Sequence, residues 1–277
     1  MIQSDFSQRH TAFRKLHESG CFILPNPWDP GSARWLAQAG FKALATTSAG
    51  YAFSRGMPDR KIGVDEVLRH CSELVEATEL PVNVDFEDGY ASTLNELKDN
   101  VQRCVRTGIS ALSIEDSVQD AQGTRLYDFD TAVARMQAAR DAIDAIDPNI
   151  MLVGRAECFL VGQPDIDETI KRLAAYAEAG ADCLYAPGLS TKDQISAVVR
   201  AVAPKPVNVM MDPAAKLGFK TLADIGVRRI STASTLALAA WTGFAKAVDR
   251  LKNQEIDGFG NTIDYFQLCK RFEETDR

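Results

Sequence analysis

Residues 82–115, VNVDFEDGYASTLNELKDNVQRCVRTGISALSIE, decide the fold. The stretch opens with Val82–Glu87, a short run rich in β-branched residues, which predicts a strand. An amphipathic segment, Leu94–Arg106, predicts a helix. Thr107-Gly108 then places a glycine where a left-handed helix C-cap is expected. A second short strand, Ala111–Glu115, follows at once. Strand, helix and strand in this order imply two parallel strands joined by a crossover helix.

The same unit recurs in both directions. Further strands are expected at Phe22–Trp28, Ala43–Ser48, Met151–Glu157, Cys183–Ala186, Pro206–Met211 and Arg228–Thr232. Helices are expected at Ser32–Ala39, Val64–Thr78, Asp130–Ile146, Asp165–Ala179, Thr191–Val202, Thr221–Ile225 and Thr235–Leu251. Ala39-Gly40, Ala179-Gly180 and Ile225-Gly226 repeat the helix-ending glycine. No linker rich in Pro, Gly or Ser interrupts the series, so residues 1–277 read as a single domain. Eight strand–helix units predict an α/β fold closed as a (β/α)8 TIM barrel, a fold of about 250 residues, rather than an open sheet. Extra helices, Phe6–Glu18 and Thr262–Glu273, flank the series and could cover the barrel or a neighbouring subunit.

Composition narrows the function. The 277 residues carry 31 Lys and Arg against 38 Asp and Glu, a net charge of −7 with no basic block, so a nucleic-acid partner is not expected. No apolar run approaches the roughly 20 residues that span a bilayer. The N-terminus, MIQSDFSQRH, lacks a signal-peptide profile, and the expected location is cytoplasmic. The six cysteines form no CxxC pair and read as reduced packing residues. His10, His17 and His70 all lie in helical stretches. Zinc or Ser-His-Asp chemistry therefore has little to build on.

In a barrel of this class, functional residues gather at the C-terminal ends of the strands. Those ends carry acids: Asp85, Glu87 and Asp88 on the third strand, Glu115 and Asp116 on the fourth, and Arg155 with Glu157 on the fifth. Asp85 and Glu87 are two apart on one strand, so both point to the same face. With Glu115 alongside, three carboxylates would repel one another unless a cation or protons intervene. A hard oxygen-seeking ion, Mg2+ or Mn2+, fits that set better than Zn2+. The plainer alternative makes these acids helix caps and surface charges, and that alternative is preferred for Asp88 and Asp116. Arg155 interrupts an apolar strand and needs an anionic partner, either a barrel carboxylate such as Glu157 or a substrate carboxylate. Ser48-Ala49-Gly50 could offer main-chain amides to an anion or form a plain turn.

Taken together, Asn26-Pro27-Trp28-Asp29, Thr47-Ser48-Ala49-Gly50, Gly56-Met57-Pro58-Asp59, Asp85-x-Glu87-x-Gly89-Tyr90, Ile114-Glu115-Asp116 and Arg155-Ala156-Glu157 resemble the isocitrate lyase/phosphoenolpyruvate mutase superfamily. The resemblance runs from the first strand to the eighth helix. It implies a Mg2+-dependent barrel that makes or breaks C–C or C–P bonds next to a 2-oxo acid. In many members the eighth helix is exchanged between subunits of a tetramer, so a homo-oligomer, dimer or tetramer, is expected. By the same resemblance Asp85 is the direct metal ligand, and Glu87 and Glu115 hold metal-bound waters. Asp59 lies near the metal or the reacting centre. Ser48, Ala49 and Gly50 bind the substrate carboxylate and 2-oxo group, Trp28 flanks the substrate and Arg155 takes its anionic end.

The departures are as informative. The lyases carry Lys-Cys-Gly-His in the loop after the fourth strand; residues 117–127 here read SVQDAQGTRLY, with neither Cys nor Lys. The acid of the lyases after the sixth strand is absent from Ala186-Pro187-Gly188, as are the Lys-Asn and His of the mutases. The expected activity is C–C cleavage of a small 2-oxo or 2-hydroxy acid, oxaloacetate-like or 2-methylmalate-like, through a metal-stabilised enolate. A phosphonopyruvate-type C–P enzyme and a non-catalytic 2-oxo-acid binding protein are the alternatives. Loop 117–127, with Ser117, Gln119, Gln122, Gly123 and Thr124, has the composition of a mobile lid or, equally, of a plain exposed connection.

Overall fold

The computed structural model describes residues 6–121, 123–257, 259 and 262–273. Helix α1 (Ser7–Leu16) comes first, followed by β1 (Phe22–Leu24), α2 (Pro30–Gln38), β2 (Leu44–Ala45), α3 (Ser48–Ser54), α4 (Val64–Glu76), β3 (Val82–Asp85), α5 (Leu94–Val105) and β4 (Ala111–Glu115). A hairpin, β5 (Ser117–Asp120) and β6 (Gly123–Leu126), interrupts the series. It resumes with α6 (Phe129–Asp144), β7 (Met151–Arg155), α7 (Ile166–Glu178), β8 (Cys183–Tyr185), α8 (Lys192–Ala201), β9 (Val207–Met210), α9 (Phe219–Asp224) and β10 (Arg229–Ser231), and ends with α10 (Thr235–Lys252) and α11 (Tyr265–Glu273).

Eight strands form one parallel sheet in the order β1-β10-β9-β8-β7-β4-β3-β2. Across the remaining seam the Ala45 amide donates to the Pro25 carbonyl at 3.0 Å, and Asn26 Nδ2 donates to the Thr46 carbonyl at 2.7 Å. The result is a nearly closed barrel with helices between its strands, as the alternation predicts. Among the described residues, no helix is long and apolar enough to cross a membrane.

Strand parity divides the core in two. Outward residues such as Val84, Leu112, Ile114, Leu152, Leu184 and Val209 pack under the helices. Inward residues Leu24, Ala45, Ala111, Met151, Val153 and Cys183 fill the lower barrel, and Phe13 of α1 plugs that end. The apolar filling stops part-way up, and polar side chains take over towards the C-terminal ends of the strands.

Three elements differ from expectation. The strands are shorter: the first ends at Leu24 and the second at Ala45. Helix α3 was not foreseen; the Thr47 side chain accepts from the Gly50 amide and starts a helix where a strand end was expected. Segment 117–127 is not a plain loop, because Ser117–Asp120 pairs antiparallel with Gly123–Leu126. Gln122 lies outside the described residues.

Candidate active site

The site grows from the turn that follows β3. The Asp85 amide donates to Thr46 Oγ1 at 2.9 Å. Its carboxylate accepts from the Ser48 amide at 3.2 Å and the Ser48 hydroxyl at 2.8 Å, both on Oδ2. The regular strand stops there. Glu87 has φ +45°, Gly89 +79° and Tyr90 +53°, so the chain coils tightly through the left-handed region. Such conformations cost non-glycine residues of order 1–3 kcal/mol each and cluster at functional sites. Gly89 is required twice over, since a Cβ there would also stand 2.1 Å from Leu97 Cδ1. Contrary to the period-two expectation for Asp85 and Glu87, a coiled turn and not strand alternation directs Glu87.

Asp85 and Glu87 nevertheless share a void of about 10 Å3, bordered also by Thr46, Ser48 and Tyr90. That is near the smallest space that holds a water-sized occupant. The buried Tyr90 hydroxyl faces the Glu87 carboxyl. Burial, with the Asp85 charge adding to it, pushes the Glu87 carboxyl up to about 7. Two crowded carboxylates beside the Ser48 and Thr46 hydroxyls suit a small hard cation.

Arg155 binds three acids. Nη1 reaches Asp85 Oδ1 and Glu115 Oε2, each at 3.2 Å, and Nε pairs with Glu157 Oε1. The barrel-carboxylate pairing expected for Arg155 is present and extends beyond Glu157. Glu115 is also held from above, where Arg60 Nη2 bonds its Oε1 and Ser117 Oγ donates to the same atom at 3.0 Å. Burial still pushes Glu115 up to about 8, against the pull of Arg155. Asp59 is raised as well, by burial and then by Asp85.

Ser48, Ala49, Asp59, Asp85 and Arg155 line one cavity of about 170 Å3 at the C-terminal end of the barrel. Glu115 stands behind Arg155 and Arg60, outside that lining. Trp28 and Gly50 are not in the lining either. A Cβ on Gly50 would lie 3.2 Å from both Trp28 Cβ and Ala237 Cβ, so Gly50 permits close packing of α3, and its amide is taken by Thr47. Among the described residues, no three His, Cys, Asp or Glu side chains converge as direct metal ligands. Asp88 and Asp116 lie outside the cavity lining. Asp116 is buried rather than a surface charge, accepting from Arg172 Nη1 at 3.1 Å and the Tyr176 hydroxyl at 2.6 Å.

Residues 13–252 match the family model described as phosphoenolpyruvate phosphomutase. The chain belongs to the phosphoenolpyruvate mutase/isocitrate lyase superfamily. This superfamily member is 30% identical over 262 residues to a Mycobacterium tuberculosis protein, covering 94% of this chain and 95% of the other. It is 27% identical over 270 residues to an oxaloacetate decarboxylase from Chromohalobacter salexigens, covering 94% and 90%. A solved structure from Burkholderia cenocepacia J2315, a candidate lyase/mutase, superposes with a TM-score of 0.92 at 41% identity, covering 97% of each chain. Relatives of this superfamily member are lyases and mutases.

The sequence reading missed Arg60, Asn83, Tyr185, Asn208 and Arg229. The last four line the cavity floor. A signal existed: each sits at an inward-parity position of a predicted strand among apolar neighbours, as in Val207-Asn208-Val209. Arg60 left none, because only the fold brings its loop to Glu115.

Proposed function

We propose that this chain is a Mg2+-dependent lyase or decarboxylase that cleaves a C–C bond of a small 2-oxo or 2-hydroxy acid, oxaloacetate-like or 2-methylmalate-like. One observation carries the reading: Asp85, fixed by the amide and hydroxyl of Ser48, faces a cavity of about 170 Å3 that also presents Arg155. The oxaloacetate decarboxylase among the relatives supports it.

In this reading Asp85 holds the cation directly, and Glu87 and Glu115 hold it through water; Mn2+ suits the same donors. The bound cation supplies a sink for charge that develops on the 2-oxo oxygen. Ser48 and Ala49, at the first turn of α3, orient the substrate carboxylate. Arg155, paired with Asp85 at 3.2 Å and anchored on Glu157, steadies the substrate carboxylate nearest Asp85, with Asp59 lining the same cavity. Trp28 and Gly50 support these groups from behind. Residues 117–127 contain no Cys, Lys or His to act as a positioned acid. Decarboxylation of a 2-oxo acid tolerates that absence, since water can return the proton. Isocitrate cleavage does not tolerate it.

The test is product release with Mg2+: pyruvate from oxaloacetate, 2-methylisocitrate and phosphonopyruvate, and glyoxylate from isocitrate. Oxaloacetate turnover with isocitrate silent is the expected result. Turnover of phosphonopyruvate alone would select the C–P enzyme. Tight oxalate binding without any turnover would select a binding protein.

A further inference from the structure

Arg229 lies on the cavity floor, only 2% exposed. Its Nε donates to Asn208 Oδ1 at 3.0 Å and its Nη1 to Asn83 Oδ1 at 3.2 Å. Nη1 also stands 3.5 Å from His17 Nε2. The other nitrogen of His17 is 2.8 Å from the Phe13 carbonyl, an acceptor, so the proton sits on Nδ1 and Nε2 offers a lone pair. Burial, then the Arg229 charge, lowers the His17 pKa to about 3, which keeps the ring neutral. Every described partner of Arg229 is therefore neutral, and no described carboxylate pairs with it. Arg155 is the opposite case, bound to three carboxylates. A buried guanidinium without a counter-charge is costly, and its open side here is the substrate cavity.

We infer that Arg229 is a specificity-determining residue: it receives the second carboxylate of a dicarboxylic substrate at the floor of the cavity. Asn83 and Asn208 hold the fork level, and Ser231, which accepts from Asn208 Nδ2 at 3.0 Å, borders the same subsite. The inference rests on the reading of the cavity as a small-acid site and narrows its substrate class to dicarboxylates. Arg229 takes the carboxylate at the end remote from Asp85: in a 2-methylmalate-like acid that group departs intact on the cleaved fragment, and in oxaloacetate it is the group released as carbon dioxide.

The decisive variant is Asn208→Asp, which sets a carboxylate beside Arg229 and neutralises it in place. The probes are succinate and butyrate, which share a chain length and differ in one carboxylate, titrated calorimetrically with Mg2+ present. Wild type should prefer succinate by about 10- to 100-fold, the worth of one charge-assisted hydrogen-bonded contact. Asn208→Asp should lose that preference and melt no lower than wild type. Arg229→Gln should lose the same preference. Unchanged succinate affinity in Asn208→Asp would overturn the inference, as would equal binding of the two acids by wild type. A destabilised Asn208→Asp would contradict the missing counter-charge. Failure of the enzymatic reading shows separately, as a retained succinate preference with no pyruvate from any acid.

Discussion

At the residue scale, the site turns on Asp85 and the hydroxyl that aims it. Asp85→Ala should abolish Mg2+ binding in calorimetry. Ser48→Ala should weaken it about 10- to 100-fold, the usual effect of losing a group that orients a ligand. An unchanged affinity in Asp85→Ala would remove the assignment. Asp85, Arg155 and Ser48 were legible because polar residues at strand ends stand out from apolar runs. The geometry of Glu87 was not, because nothing in the sequence forces a positive φ at a glutamate. Acid sensitivity belongs at this scale too. His70 is stacked on Tyr51 with ring centroids 3.8 Å apart, and burial lowers its pKa to about 4. The unfolded chain binds its proton at the ordinary value near 6.5, so stability falls as pH drops from there towards 4, by up to about 3 kcal/mol. Urea midpoints between neutral pH and pH 4 should fall more steeply in wild type than in His70→Gln.

At the element scale, the hairpin β5–β6 is the piece most suited to move. Its base is tied down: Ser117 is fully buried against Glu115, and the Tyr127 amide donates to the Asp116 carbonyl at 2.8 Å. Its outer part is exposed, with Arg125 paired to Asp120 at 2.9 Å. Surface ion pairs of this kind contribute about 0–1 kcal/mol, too little to lock the hairpin shut. Trypsin cleavage at Arg125 should slow when oxalate and Mg2+ are both present, and equal rates would count against a lid. The eight barrel strands were readable from β-branched runs. The hairpin was hidden because its side chains are mostly polar on both faces, so no period of two shows in hydrophobicity. Helix α3 was hidden for a local reason, since Thr47-Ser48-Ala49-Gly50 reads equally as a turn until the Thr47 cap is seen.

At the scale of the whole molecule, α10 is the unfinished surface. Ala237 is its only buried residue among those described, while Leu238, Trp241, Phe244 and Leu251 are 48%, 42%, 60% and 55% exposed. Helix α11 does not cover it; Arg271 stacks over Trp35 at 3.7 Å, and Gln38 donates to the Arg271 carbonyl at 2.6 Å, so α11 returns to α2. An exposed apolar helix face of this extent marks an interaction surface. We expect α10 to be buried against a second copy, in a dimer or tetramer, and Phe244→Glu to shift light-scattering mass towards monomer. A wild-type monomer at micromolar concentration would contradict that. The excess of apolar residues in 235–251 was visible in the sequence, whereas the direction of the helix away from its own barrel was not. The central claim, carbon–carbon cleavage of a small 2-oxo acid assisted by Mg2+, is tested most directly by the steady-state rate of pyruvate release from oxaloacetate with and without Mg2+. Turnover should depend on Mg2+, fall to background in Asp85→Ala and be competitively inhibited by oxalate. A rate equal to that of buffer with Mg2+ alone, or one indifferent to oxalate, would contradict it.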